Sequence, residues 1–402
     1  MITSLITLLI IFIFVFYNEF KKNSLTIPIL SIFLISIIIK IMFVYYELYG
    51  SFINQFTIRD EVTFLRSEPA LNISPGDNFF VSFIYYFRSI YNDEIFIKFL
   101  PIFFSIIYFY YLLKIINNLE YKYSYKLFLL IISVISPAYL MFNYSLTKEF
   151  LQGAFLLPCI YYSFKFIDKQ KLIIIFKLLF YLILFSYTHR GFEVISILIL
   201  LSAIMLSIIK NYSVLFKKNW LILIIFFPVF LLIFYYVVIN SPVGSNFANE
   251  DIATWLNNIR KSDASANNTY RIILESNDTF DILKTISLTV YYYFFYIQDI
   301  TSLKHLYYFL DLILCSTLIL TTIYYIFSNY TFYNHNLFKY IFLFIIFFVM
   351  SVGFAIFTYN TGNAIRHKSV TNVLIYLYLP IFLDFSISFI KRSLKIFNQN
   401  NY

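Results

Sequence analysis

Long runs of apolar residues dominate this chain and restrict what it can fold into. Residues 172–185 and 337–357 each contain a single charged residue. Such runs are typical of membrane-spanning helices, because crossing the hydrocarbon core takes about 20 apolar residues. The sequence is 61% hydrophobic and only 13% charged, whereas soluble domains carry about 25% charged residues. The chain is therefore predicted to be an all-α polytopic membrane protein.

The apolar runs predict about 11 transmembrane helices, within roughly 10 to 13. Residues 1–20 lack a basic leading region and a small-residue cleavage site, so they are interpreted as a retained first helix. Two stretches near 79–91 and 282–298 are short or interrupted, which favours interfacial or partly inserted helices. The predicted spans are 3–20, 25–47, 95–116, 124–144, 150–167, 171–188, 191–209, 219–240, 306–328, 337–358 and 370–390.

Lysine sets the predicted orientation, since cytoplasmic loops collect basic residues. The pair Lys21–Lys22, the lysines of 114–126, 165–171 and 210–218, and the C-terminal tail fall on one side of the predicted spans. This places the N-terminus outside and the C-terminus in the cytoplasm. We treat 1–402 as a single transmembrane domain with outer loops at 48–94, 145–149, 189–190, 241–305 and 359–369. The net charge of +9 is accounted for by the inner lysines and does not indicate nucleic-acid binding.

Arginine follows the opposite distribution to lysine. The rigid fork of an arginine guanidinium matches phosphate oxygens two at a time, so outer arginines favour recognition of a phosphate-bearing substrate. The alternative is that they pair with outer acids such as Glu68 and Asp251. The outer arginines are Arg59, Arg66, Arg88, Arg190, Arg260, Arg271 and Arg366, and Arg392 alone lies inside.

The first outer loop contains the sequence Arg59-Asp60-Glu61. A carboxylate just beyond a spanning helix can act as general base on an acceptor hydroxyl at the bilayer surface, and we assign this role to Asp60. Glu61 can hold a divalent cation or orient the acceptor, while Arg59 keeps Asp60 ionised or contacts phosphate. The alternative is a solvated loop with a local Arg–Asp pair.

Lys148 and Glu149 stand where one predicted helix ends and the next begins. In a structural interpretation, Ser145 or Thr147 caps the following helix and Glu149 complements its dipole. In a functional interpretation, Lys148 contacts phosphate and Glu149 is the buried partner of an arginine.

His189-Arg190 interrupts two apolar segments, and Glu193 follows in the next helix. A charge just inside a span tends to be paired, so Glu193 is expected to pair with Arg190 or Lys148. His189 is either a proton carrier or a hydrogen-bonded helix cap.

Arg366-His367-Lys368 places three basic side chains on the predicted outer side, immediately before the last span. Membrane insertion does not favour this arrangement. Binding of a pyrophosphate at headgroup level explains it, and we assign Arg366 and His367 to that role.

Taken together, these motifs resemble those of bacterial GT-C-type membrane glycosyltransferases and of Wzy-like polymerases of surface-polysaccharide clusters. The resemblance rests on Asp60-Glu61, the interfacial helix and span between residues 75 and 114, Ser-Leu-Thr-Lys-Glu at 145–149, His189-Arg190, and the segment 360–368. Phe64 stands where many relatives have a tyrosine.

The resemblance implies a GT-C-like fold and transfer from a polyprenyl-phosphate- or pyrophosphate-linked sugar. It implies that Asp60 is the base and that Lys148, Arg190 and Arg366 hold the lipid-linked phosphate. The expected location is the bacterial inner membrane, the expected partners are membrane lipid and other polysaccharide-assembly proteins, and a divalent metal on Asp60 and Glu61 is one option. Single-sugar transfer and repeat-unit polymerisation both remain open.

Two other functional classes compete with this hypothesis. A flippase for lipid-linked oligosaccharide predicts ionisable residues along a path through the bilayer, for which Lys40, Asp311 and Asp384 are the candidates. A purely structural membrane subunit leaves the outer arginines unexplained.

Overall fold

Every regular element in the described part of the chain is an α-helix. The computed structural model describes residues 2–21, 26–49, 77–91, 93–135, 148–189, 191–212, 279–295, 303–328, 336–357 and 361–387. The helices are α1 (Ile2–Lys21), α2 (Ile27–Tyr49), α3 (Asp77–Ile90), α4 (Glu94–Lys98), α5 (Leu100–Asn118), α6 (Tyr123–Ile135), α7 (Glu149–Lys169), α8 (Leu172–Tyr187), α9 (Phe192–Tyr212), α10 (Thr279–Phe295), α11 (Leu303–Ser328), α12 (Leu337–Phe357) and α13 (Thr361–Tyr376).

Five stretches of helix in these ranges are long and apolar enough to cross a membrane. They are Ile27–Tyr45, Ile95–Asn118, Glu149–Lys169, Phe192–Asn211 and Leu337–Ala355. A sixth forms if His367–Tyr376 and Leu379–Ile387, which meet at a 46° bend, are one span. The prediction of a helical membrane protein is confirmed at this level. The number of 11 spans stays a prediction, and the predicted span 219–240 lies outside the described residues.

Helix α7 lies at the centre of the bundle and packs against α5, α8 and α9. A close approach to α5 occurs at Gly153, where an added Cβ would lie 3.3 Å from Cδ2 of Tyr108. Glycine is therefore used here for contact between helices, as is common where helices pack inside a membrane.

Pro158 lies in the interior of α7. Proline has no N–H group, so the carbonyl four residues earlier, that of Ala154, loses its helical donor. Both residues lie in a part of α7 that is fully buried among other helices. Contacts from neighbouring helices thus hold α7 together across this break.

Ion pairs and hydrogen bonds join several helix ends at one end of the bundle, which we call the lysine end. Asp168 of α7 accepts from Lys210 of α9 at 2.8 Å and from Lys339 of α12 at 3.0 Å. The Asn336 amide donates to the carbonyl of Leu119 at 3.2 Å, which brings in the end of α5. Helices α5, α7 and α9 end here and α12 begins here, and we call the opposite end of the bundle, which contains His189 and His367, the histidine end.

The predicted short helix near 79–91 is present as α3, and it packs at the histidine end. The ring of Phe80 lies 5.9 Å from that of Phe150 in α7, and Phe79 lies 5.6 Å from Tyr187 at the end of α8. The predicted partial helix near 282–298 is likewise present, as α10.

The helix that contains the last predicted span begins earlier than we expected. We expected an outer loop at 359–369 and a helix from 370, but α13 already begins at Thr361. An apolar run predicts which residues lie in lipid, but it does not predict where the helix begins. Here the helix includes polar residues that precede the apolar run. Arg366, His367 and Lys368 are therefore helical residues.

Candidate functional site at the histidine end

A four-residue turn positions His189 between α8 and α9. The Thr188 hydroxyl donates to the carbonyl of Phe185 at 2.7 Å, which stops α8. Gly191 follows with a φ of 89°, a backbone conformation that glycine adopts without strain. The N–H of Phe192 then donates to the carbonyl of His189 at 3.1 Å as α9 begins. The chain thus reverses within a few residues, with the imidazole at the tip.

His367 reaches the same place from the second turn of α13. Its ring stacks on Phe354 of α12 with centroids 4.2 Å apart and planes at 9°. The His189 ring lies 5.9 Å from that of His367 and 5.0 Å from that of Phe192. Two histidines far apart in sequence are therefore held side by side by aromatic rings.

The start of α7 places polar groups at this end. Lys148 is the N-terminal flanking residue of α7, and Glu149 in the first turn is 1% exposed. Gln152 lies one turn further on the same face and is fully buried. Neither its Nε2 nor its Oε1 has a hydrogen-bond partner among the described residues. An unpaired buried amide destabilises a fold by about 1–3 kcal/mol, so this position is not explained by stability.

Helix α13 contributes a second cation and further buried polar groups. The Lys368 Nζ lies 5.2 Å from the ring centre of Tyr293, at the end of α10. Thr371, one turn below His367, is fully buried, and its hydroxyl has no hydrogen-bond partner in the part of the chain that the structure describes. Helix α13 also packs against α7.

The histidine end favours bound negative charge. It carries Lys148, His189, His367 and Lys368, and α7, α9 and α13 all begin there. Helix N-termini present free N–H groups and a partial positive charge. The imidazoles add groups that exchange protons near neutral pH.

Several predicted site residues cannot be placed. Arg59, Asp60, Glu61 and Arg190 lie outside the described residues, and for Arg366 only the backbone, in α13, is described. The structure places Lys148, Glu149, His189, Glu193 and His367 of the predicted set at one end of the bundle, where only His189 and His367 have a described contact with each other, and the predicted base stays untested.

One local prediction at this end stays open and one is wrong. Glu193 is not paired with Lys148, but Arg190, its other predicted partner, lies outside the described residues, so the predicted pair stays a prediction. The half-buried position of Glu193, in the first turn of α9, removes the need for one, since the helix N-terminus favours a carboxylate. The residue flanking α7 is Lys148 itself, which makes no side-chain capping bond, in place of Ser145 or Thr147.

The described residues contain no group of three His, Cys, Asp or Glu side chains able to hold a metal ion. Asp60 and Glu61, the predicted metal ligands, are not among the described residues.

Sequence reasoning missed Phe354, Gln152 and Thr371. Phe354 is one of 51 phenylalanines, and nothing in its local sequence marks it as a support for histidine. Gln152 could have been identified from the sequence, because an uncharged amide three residues into an apolar span is unusual.

Compared with known proteins, the chain matches no family model, no curated protein and no solved structure. The functional argument therefore depends on the residues themselves.

Proposed function

We propose that this chain is a membrane glycosyltransferase that uses a polyprenyl-phosphate- or pyrophosphate-linked sugar donor. It would act on the outer face of a bacterial plasma membrane, in the assembly of cell-surface polysaccharide such as O-antigen, capsule or exopolysaccharide. The proposal includes a GT-C-like arrangement of about 11 spans, with the N-terminus outside and the C-terminus in the cytoplasm. The histidine end would then face outward.

The observation that carries the proposal is the meeting of His189 and His367 at the end where Lys148 and Lys368 lie. Helix α3 packs at the same end, and its exposed aromatic side chains Tyr85 and Tyr86 suit the headgroup region of a membrane. A lipid-linked phosphate has its charge at this level and its apolar tail in the bilayer, so it fits both features.

In the proposed reaction, the acceptor hydroxyl oxygen attacks the anomeric carbon of the donor sugar. The proton of that hydroxyl passes to the carboxylate of Asp60. The bond between the anomeric carbon and the phosphate oxygen breaks, and its electron pair remains on the phosphate. Lys148, Arg190 and Arg366 stabilise this growing charge, which preorganised cations do best. Glu61 and Glu149 orient the acceptor and the basic side chains.

The test compares cell-surface glycan in cells carrying Asp60→Asn, Arg366→Ala or His367→Phe, with the membrane abundance of each variant measured. His367→Phe keeps a ring of the kind that stacks on Phe354 and removes the two ring nitrogens, so the stacking contact is retained while the polar contact is lost. A hydrogen bond to a charged group contributes about 1.5–3 kcal/mol, so we expect transfer to fall about ten- to hundredfold.

Loss of glycan at normal abundance supports the proposal, and shortened chains identify a polymerase. Normal glycan in both Asp60→Asn and His367→Phe cells overturns it.

One observation favours the alternative of a lipid-linked oligosaccharide flippase. Lys40 lies fully buried within α2, and ionisable residues at such depth mark transport paths. Asp384 does not belong to such a path, because it is 57% exposed, lies 3.8 Å from Lys122 and accepts from the Tyr125 hydroxyl at 2.6 Å. Translocation of a labelled lipid-linked sugar in liposomes that is lost in Lys40→Met, with no new glycosidic bond formed, would identify the flippase.

A further inference from the structure

A cavity of about 340 Å³ opens at the lysine end, between α5, α7 and the start of α8. It is lined by two kinds of polar side chain. The cations are Lys114, Lys165, Lys169, Lys171 and Lys177, and the aromatic residues are Tyr110, Tyr111, Tyr161 and Tyr162. Such a concentration of positive charge around one cavity requires an explanation beyond the setting of membrane orientation.

Four of these five lysines have no carboxylate within ion-pair distance among the described residues. Lys114 forms an ion pair with Glu19 of α1. Lys165 and Lys177 instead lie over tyrosine rings, 5.6 Å from the centre of Tyr161 and 5.9 Å from that of Tyr162. The cavity therefore holds excess positive charge that a bound anion would neutralise.

The tyrosines form a connected wall. The Tyr111 hydroxyl lies 2.8 Å from that of Tyr181 and 3.5 Å from that of Tyr162. The rings of Tyr162 and Tyr181 stack with centroids 5.6 Å apart. This wall fixes the position of the lysines that lie over it and supplies hydroxyl groups to a ligand.

An apolar groove of about 720 Å³ adjoins the cavity and shares Tyr110 and Tyr111 with it. Its other walls are α1, from Ile10 to Tyr17, together with Ile107 of α5 and Tyr181 of α8. The seven-residue separation from Ile10 to Tyr17 corresponds to about 10 Å along the helix axis, a large part of one leaflet of the hydrocarbon core.

A cationic cavity at headgroup level that continues into an apolar groove matches a lipid with a phosphate headgroup. We propose that this chain binds an anionic phospholipid here, with its phosphate among Lys165, Lys169 and Lys177 and an acyl chain in the groove between α1, α5 and α8. Excess positive charge selects an anionic over a zwitterionic lipid, and the groove selects a lipid over a soluble anion. This site lies at the opposite end from the histidines and is independent of the proposed transferase.

The test measures retention of phosphatidylglycerol by the purified full chain, using native mass spectrometry in detergent, with phosphatidylethanolamine for comparison. The variant is Lys169→Gln/Lys177→Gln. Its control, Lys122→Gln/Lys284→Gln, makes the same charge change at exposed lysines that do not line the cavity. Each lysine near an anionic lipid changes affinity about fivefold, so the double variant should bind roughly 25-fold more weakly and the control should be unchanged.

The groove is tested separately with Ile10→Trp, which fills it, against Ile38→Trp on α2, another exposed isoleucine outside the groove. We expect phosphatidylglycerol to be lost only in the first variant. Elution as a single folded species in size-exclusion chromatography controls for unfolding.

Three results would overturn the proposal. They are equal binding of both phospholipids, equal loss in the lysine variant and its control, and displacement of the lipid by soluble glycerol phosphate at matched concentration. The last result would show that the cavity binds the phosphate alone.

Discussion

Gln152 illustrates a single residue whose presence stability does not explain. Its amide is fully buried and finds no hydrogen-bond partner within the described ranges, one turn from the buried carboxyl group of Glu149. Buried polar groups are normally paired, so an orphaned amide beside the histidine end is a candidate contact for a substrate hydroxyl.

We expect Gln152→Leu to raise the free energy of unfolding by about 1–3 kcal/mol, because it removes an unsatisfied amide at similar volume. Thermal unfolding in detergent measures this change. Ser207 is the opposite case, because its hydroxyl donates to the carbonyl of Phe166 and accepts from the amide of Gln170. Ser207→Ala should therefore lower the free energy of unfolding by about 1 kcal/mol. If Gln152→Leu were as destabilising as Ser207→Ala, the amide would have a structural role.

The single residues also show where sequence reasoning reaches its limit. Lys148, His189 and His367 stood out because charged or titratable groups are rare beside apolar spans. The residue that contacts both imidazoles, Phe354, did not stand out, because nothing distinguishes one phenylalanine from the others in an apolar run. The meeting of His189 with His367 depends on how α8, α9 and α13 pack, which composition does not encode.

Among the helices, α7 and α12 offer a matched pair of glycines. An added Cβ at Gly153 of α7 would lie 3.3 Å from the ring of Tyr108, whereas one at Gly353 of α12 would lie within 4 Å of no atom of another described element. The two positions separate the effect of helix propensity from that of close packing.

Gly353→Ala should stabilise the protein by about 1 kcal/mol, the difference in helix propensity between alanine and glycine. Gly153→Ala should show little of this gain, because the ring of Tyr108 must move by a few tenths of an ångström. Gly153→Leu should destabilise by about 1–3 kcal/mol through overpacking. Equal gains from alanine at both positions, measured by thermal unfolding, would show that α5 and α7 are not closely packed at Gly153.

The helices themselves were predictable wherever apolar runs are long, as in Glu149–Lys169 and Leu337–Phe357. The start of α13 was not, because its first turns are polar and the prediction equated polarity with a loop. Helix α3 was recognised from its amphipathic pattern, but its packing on Phe150 and Tyr187 required the fold.

At the scale of the whole molecule, the two ends of the helix bundle carry different sets of polar residues. Lys148, His189 and His367 lie at one end, and the lysine cavity lies at the other. The proposed orientation places the first end outside the cell and the second in the cytoplasm.

Introduced cysteines test this orientation, since the native Cys159 and Cys315 are buried. Ser89→Cys, exposed on α3, should react with a membrane-impermeant maleimide in intact cells. Lys169→Cys, exposed at the lysine end, should react only after permeabilisation. The reverse pattern would place the histidine end in the cytoplasm and would rule out transfer on the outer face.

Pro158 affects how easily the central helix α7 can bend. It divides α7 into a half that carries Glu149 and Gln152 and a half that carries Lys165 and Asp168. With the hydrogen bond to Ala154 missing at the division, bending there meets less resistance than elsewhere in the helix. A change in the angle between the two halves of α7 is therefore expected at Pro158, where it breaks no further backbone hydrogen bond.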